Sequence, residues 1–183
     1  MEDLIDVFKV ELLDPDGKKY DKAYSRMNFV FVVSRIEAQS EKLDLYMLLD
    51  VNTDIYPIER NDRLLLLLTE TLIFDEKADR HLQLWSIGVA VVVSVVYRAL
   101  KAEVFWDVLP ALWEPENQGK SKADKFEYVM HGKLYKFDKR GEGDDFEVYI
   151  SFGGLQLLLA GKPEFLDGFK LDKNYFLCLR KLV

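Results

Sequence analysis

The sequence predicts an all-β fold, an antiparallel meander curling into a barrel or sandwich, and three observations carry that prediction. In Phe146-Glu147-Val148-Tyr149-Ile150-Ser151-Phe152 every second residue is apolar and two of the three between are polar or charged, the period of a strand with one buried face. Gly153-Gly154 follows directly. A glycine pair adopts backbone angles closed to other residues, so a tight turn or bulge is expected before the apolar run Leu155 to Leu159. Finally, Asp124 to Leu182 reads as four or five short strands in series with no helical segment between them.

Taken in order, Leu4 to Leu12 places Leu4, Phe8, Val10 and Leu12 on one face and Lys9 and Glu11 on the other, a first strand. Asp14-Pro15-Asp16-Gly17 stops it, because proline presets one turn dihedral and glycine accepts positive φ. Asn28 to Ser34 is β-branched and aromatic, and its alternation continues through Arg35 to Ala38. Leu43, Leu45, Met47, Leu49 and Val51 form a further alternating strand. Asn52-Thr53-Asp54 turns. Ile55-Tyr56-Pro57-Ile58 is restricted by its proline to an edge or a strand end. After Asn61-Asp62, the apolar run Leu64 to Leu68 is short enough for a strand buried on both faces. Lys125 to Met130 and Lys133 to Phe137 flank His131-Gly132 and read as a hairpin, and Tyr175 to Leu182 closes the chain.

The 183 residues suffice for one well-buried domain, and 49% hydrophobic content supplies its core. A net charge of -7 argues against gripping nucleic acid by bulk electrostatics, which needs clustered positive charge. Cys178 is the single cysteine, so there is no intrachain disulfide and no cysteine-based metal site. The acidic start Met1-Glu2-Asp3 is unlike a signal peptide, and a reducing intracellular compartment is expected. The most apolar run, Trp85 to Tyr97, is thirteen residues, short of the roughly 20 a membrane-spanning helix needs.

A catalytic constellation is not found. His81 and His131 are the two histidines, and Ser151, His131 and Asp144 have neither triad spacing nor a nucleophile elbow around the serine. Gly119-Lys120-Ser121 lacks the first glycine of a P-loop, since position 114 is Glu114. Asp14-x-Asp16-Gly17 has its glycine two positions too early for a calcium loop and is read as a turn. Asp144-Asp145 reads as a solvated loop tip, and Cys178 as a small core residue. No metal and no cofactor are expected. A small basic group, Lys18, Lys19, Lys22, Arg35 and Lys42, lies near Tyr20 and Tyr46, the combination of positive charge and stacking aromatics that binds single strands; Asp14, Asp16, Asp21, Glu37, Glu41 and Asp44 largely cancel its charge.

Five blocks occur in a meaningful order: Asp14 to Lys22, Ser34 to Ala38, Leu49 to Pro57, Asp124 to Tyr135 and Tyr149 to Leu155. Together they resemble the small all-β subunit, the eighth-numbered common one, shared by the nuclear RNA polymerases I, II and III. The resemblance implies an OB-like antiparallel β-barrel without an active site of its own, docked on large polymerase subunits in the nucleus, nucleolus included. It also implies weak, non-specific single-strand contact from about Asp14 to Leu45, and an autonomous single-stranded nucleic-acid-binding module is the alternative function. Docking is expected through strand edges and glycine turns, at Tyr128, His131, Gly132, Tyr135, Ser151, Gly153 and Gly154. Two segments depart from the pattern, about Ala23 to Val32 and from near Ile73 to around Trp113, the second holding all three tryptophans. Apolar inserts where relatives have polar loops are what retained non-coding stretches would look like. The whole chain, 1–183, is therefore read as one barrel domain interrupted by these insertions.

Overall fold

The computed structural model describes residues 3–17, 22–24, 29–72, 121–139 and 145–182. Its strands are β1 (Leu4–Leu13), β2 (Lys22–Tyr24), β3 (Phe29–Phe31), β4 (Val33–Ser40), β5 (Tyr46–Asn52), β6 (Arg63–Thr69), β7 (Tyr128–Lys139), β8 (Phe146–Phe152), β9 (Leu155–Gly161) and β10 (Asn174–Leu182). Eight of them close into a barrel in the order β1-β4-β5-β9-β8-β7-β10-β6, while β2 and β3 pair only with each other. Every ladder is antiparallel. The predicted all-β, OB-like barrel is therefore the observed fold. All eight barrel strands lie outside both predicted insertions: 73–113 falls outside the described residues, and of 23–32 the described backbone belongs mainly to the β2–β3 pair.

Alternation decides what the barrel contains. Val148, Ile150 and Phe152 of β8 point inward, and so do Leu157 and Leu159 of β9, Met47, Leu49 and Val51 of β5, and Leu64, Leu66 and Leu68 of β6. All are essentially inaccessible to solvent. Each such leucine removed from water contributes about 1.5–3 kcal/mol before chain entropy is charged against it, so the side-chain-filled interior is the main source of stability. The expected face of β1 holds for Leu4, Phe8 and Val10. Leu12 is 41% exposed, because the pairing of β1 with β4 slips between Val10 and Leu12 and the bulge turns the side chain outward.

Three further expectations are corrected. Asn28 to Ala38 is not one strand: it breaks at Val32, which leaves the ladder to accept the Thr53 N–H (3.2 Å) and donate to Asp54 (3.4 Å). Ile55 to Ile58 is not a strand; Tyr56 and Ile58 fold inward and plug one barrel end, with Tyr56 stacked on Tyr128 at 5.2 Å. Tyr128 to Tyr135 is not a hairpin but part of the continuous β7. Gly132 lies in that strand facing inward, where a Cβ would run into the Phe152 ring and the Ser151 carbonyl, so glycine is there for space and not for a turn. Gly153-Gly154 is the expected two-residue turn, with φ of 60° and 98°.

At the other barrel end, α1 (Pro163–Leu166) tucks in Leu166, and Phe169 packs on Tyr175 at 5.2 Å. Leu72, three residues past the end of β6, lies beside Ser121 and Lys122. The Leu72 carbonyl accepts the Lys122 N–H at 2.7 Å and the Ser121 hydroxyl at 3.4 Å, and Lys122 pairs with Asp3 at 2.7 Å. Leu72 and Ser121, which flank 73–120, thus lie side by side.

Candidate docking surface

With the barrel interior filled by side chains, the outward-facing positions are the candidates for recognition among the described residues. The outer face of β4 and β5 is organised by an ion pair between directly opposed residues, Arg35 and Asp50. The Arg35 guanidinium donates from Nε to Asp50 Oδ1 (2.7 Å) and from Nη2 to Oδ2 (3.2 Å), and the Gln156 N–H donates to the same carboxylate (3.1 Å). Asp50 is 3% exposed, so this is a two-point, charge-assisted contact in a nearly dry site, joining β4, β5 and β9. The Arg35 backbone N–H also donates to Asp14 Oδ1 (2.9 Å), which holds the turn after β1 against β4.

This arrangement bears on the expected nucleic-acid residues. Arg35 is committed to Asp50. Lys42 sits in the turn beyond the far end of β4, where its backbone N–H donates to Asp6 (3.2 Å), about 20 Å along the strand from Arg35. Lys22 contributes backbone pairing with Phe31, and Lys18 and Lys19 lie outside the described residues. No groove assembles Arg35 and Lys42.

The seven expected docking residues also divide by facing. Tyr128 points inward, stacked on Tyr56, with its hydroxyl accepting the Asn52 N–H (3.4 Å); burial pushes that hydroxyl up to about 12. Gly132 faces the interior as well. His131 lies on the outer side, half-buried against the Phe176 ring at 4.5 Å. Ser151 is half-buried, paired across to Lys133 and Gln156, and Gly153 and Gly154 are an exposed turn. Tyr135 is 44% exposed, because the β7–β8 register slips between Leu134 and Lys136 and leaves it as an extra residue on the outside. Each of the eight barrel strands has two neighbours, so edge docking is left only the short stretches beyond the ladders, such as β7 past Leu134 on its β10 side.

Sequence reasoning missed the outward residues beside Tyr135. Tyr149 donates its hydroxyl to Glu147 (2.6 Å), which pushes it up to about 12, and Lys136 lies over its ring, 4.7 Å from the centroid. Leu158 stands directly opposite Tyr149, and Leu48 opposite Leu158. The available signal was phase: with Leu157 and Leu159 inward, Leu158 must face out. Among the described residues no three His, Cys, Asp or Glu side chains gather to hold a metal ion, and Cys178 is fully buried, its thiol pushed up to about 12 by desolvation and Asp3.

Comparison with known proteins adds the wider context. Residues 5–181 match the family model described as RNA polymerase Rpb8. The "DNA-directed RNA polymerases II, IV and V subunit 8B" of Arabidopsis thaliana is 38% identical over 178 residues, covering 97% of this chain and 94% of the relative. The "DNA-directed RNA polymerases I, II, and III subunit rpabc3" of Dictyostelium discoideum is 32% identical over 176 residues, covering 96% and 94%. The similarly named subunit RPABC3 of Saccharomyces cerevisiae is 29% identical over 177 residues, covering 96% and 95%.

Proposed function

The chain belongs to the RNA polymerase Rpb8 family, and from that membership we propose that it is a structural and assembly subunit of the nuclear DNA-directed RNA polymerases I, II and III, without an active site of its own. The observation that carries the reading is the family match from residue 5 to residue 181, which takes in every barrel strand but the edge residues of β1 and β10. The filled barrel interior supports the non-catalytic part, because a cavity enzyme needs convergent titratable groups in an accessible pocket. Its partners on this reading are the large polymerase subunits, and its place is the nucleus, including the nucleolus for polymerase I. An autonomous single-strand-binding module gains no support, since Arg35 is bound to Asp50 and stands far from Lys42.

Affinity purification of the tagged, full-length chain from nuclear extract tests this directly. The largest subunits of all three polymerases are expected in stoichiometric amounts. Recovery of the chain as a free monomer would refute the assignment, and recovery with a different set of polymerases would correct which enzymes share it.

A further inference from the structure

Resting on that subunit reading, we propose that the contact with a large subunit is made by a convex stripe of tyrosine and leucine on the outside of β5, β9, β8 and β7. The matching occupant is a polypeptide segment with aliphatic or aromatic side chains flanked by lysine or arginine. Outward positions of a solvated barrel need no apolar residues, because the core is complete without them. Yet Leu48, Leu158 and Tyr149 stand in direct register across three adjacent strands, all partly exposed, with Tyr46 two residues before Leu48.

A second, independent observation lies one strand further. The bulge in β7 gives Tyr135 no partner in β8 and presents it 44% exposed, its ring centroid 6.1 Å from that of Tyr149. Bulges commonly re-aim side chains at functional surfaces. The Tyr149 ring is already held in place by Glu147 below its hydroxyl and Lys136 over its face. A rigid aromatic loses little freedom on binding, which is why tyrosine is enriched at the energetic centre of interfaces.

Charge selects the occupant. Glu37 ends the Leu48–Leu158–Tyr149 row, and Glu147 and Asp138 are paired in the row beside it, while Lys136 is neutralised by Asp138 at 2.9 Å. With that pair cancelled, Glu37 and Glu147 leave this border acidic, while on the other side of the stripe Arg35 is balanced by Asp50 and Lys133 by Asp172. Phosphates would be repelled by the acidic border, whereas lysine and arginine would be drawn to it. On the opposite side of the barrel, β1, β10 and the loop before β6 carry Lys9, Arg180 and Arg60. Because closure leaves only short stretches of strand edge to extend, recognition by side chains is favoured.

The test compares capture of a large subunit by the intact chain, by Leu158→Asp, by Tyr135→Ala combined with Tyr149→Ala, and by Ile5→Ser on the opposite face, where Ile5 is 54% exposed. Stripe variants are expected to lose at least tenfold in recovered subunit and Ile5→Ser less than twofold, with unchanged circular dichroism. Should a stripe variant misfold, p-benzoylphenylalanine at position 158 or 5 gives a second readout: photocapture of a large-subunit peptide from 158 and not from 5 is expected. Equal recovery by stripe variants and wild type, or capture from 5 alone, overturns the surface while the subunit reading stands. Capture of nucleic acid from 158 overturns the polypeptide partner. Failure of the wild type to recover any large subunit brings down both.

Discussion

Gly132→Ala is the substitution in which the geometry of the barrel speaks most directly. The new methyl group would point inward and meet the Phe152 ring and the Ser151 carbonyl at distances that real Cβ atoms do not reach. Phe152 is fully buried, and Ser151 is fixed by its pairing with Lys133, so neither neighbour can swing aside cheaply. Overpacking a filled core costs about 1–3 kcal/mol, and a backbone neighbour puts this site at the upper end. Alanine recovers about 0.5–1 kcal/mol by narrowing the unfolded ensemble. The net expectation is a loss of about 2 kcal/mol, or a Tm lower by about 4–8 °C for a chain of this size. Urea unfolding of the full chain measures it. Adding Phe152→Leu should restore about 1 kcal/mol relative to the sum of the two single changes, since it relieves the ring contact and not the carbonyl one. A Gly132→Ala chain within about 0.5 kcal/mol of wild type would mean the glycine is not in a packed strand, and the reasoning fails.

Asp50→Ala should cost about 2–3 kcal/mol in the same assay, because it strands the partly buried Arg35 and the Gln156 N–H, whereas Asp50→Leu with Arg35→Met should recover most of it. Replacing 73–120 by a short flexible link should leave the barrel folded, since Leu72 and Lys122 are already hydrogen-bonded; shortening the excursion roughly eightfold should add about 1.8 kcal/mol, and a chain that no longer unfolds cooperatively would contradict this. Tyr128, raised to about 12 by burial, and Tyr149, raised to about 12 by its bond to Glu147, ionise after an unfolded tyrosine does near 10. The unfolded chain therefore loses these protons first, so their contribution is intact below about pH 10 and declines as pH rises to about 12. Ultraviolet titration should find them among the late tyrosines, and Tyr128→Phe should remove one.

How much could be read from the sequence depended on whether local pattern or long-range fit decided the outcome. Strands β5 and β8 were legible because one buried face imposes a period of two, and Gly153-Gly154 because a two-residue connection requires positive φ. Gly132 misled for a physical reason: the local signal for glycine is the same whether it serves a turn or makes room for Phe152, and the ring arrives from another strand. Leu12 was placed on the wrong face since a bulge is a property of two strands. Where the expected docking residues point was legible only in part. Tyr135 was named, but Tyr128 and Gly132 face inward, and the stripe through Leu48, Leu158 and Tyr149 exists only once three ladders are in register. Closure itself, which shortens the edges on which docking had been expected, depends on strand order and has no local signature.

Strand β10 lies between β7 and β6, two strands it alone connects. Without β10, the facing margins of β7 and β6 would lose their ladder partners. A chain cut short before Asn174 would present two long sticky margins. Removing β10 is therefore expected to convert a closed sheet into an open one, prone to self-association.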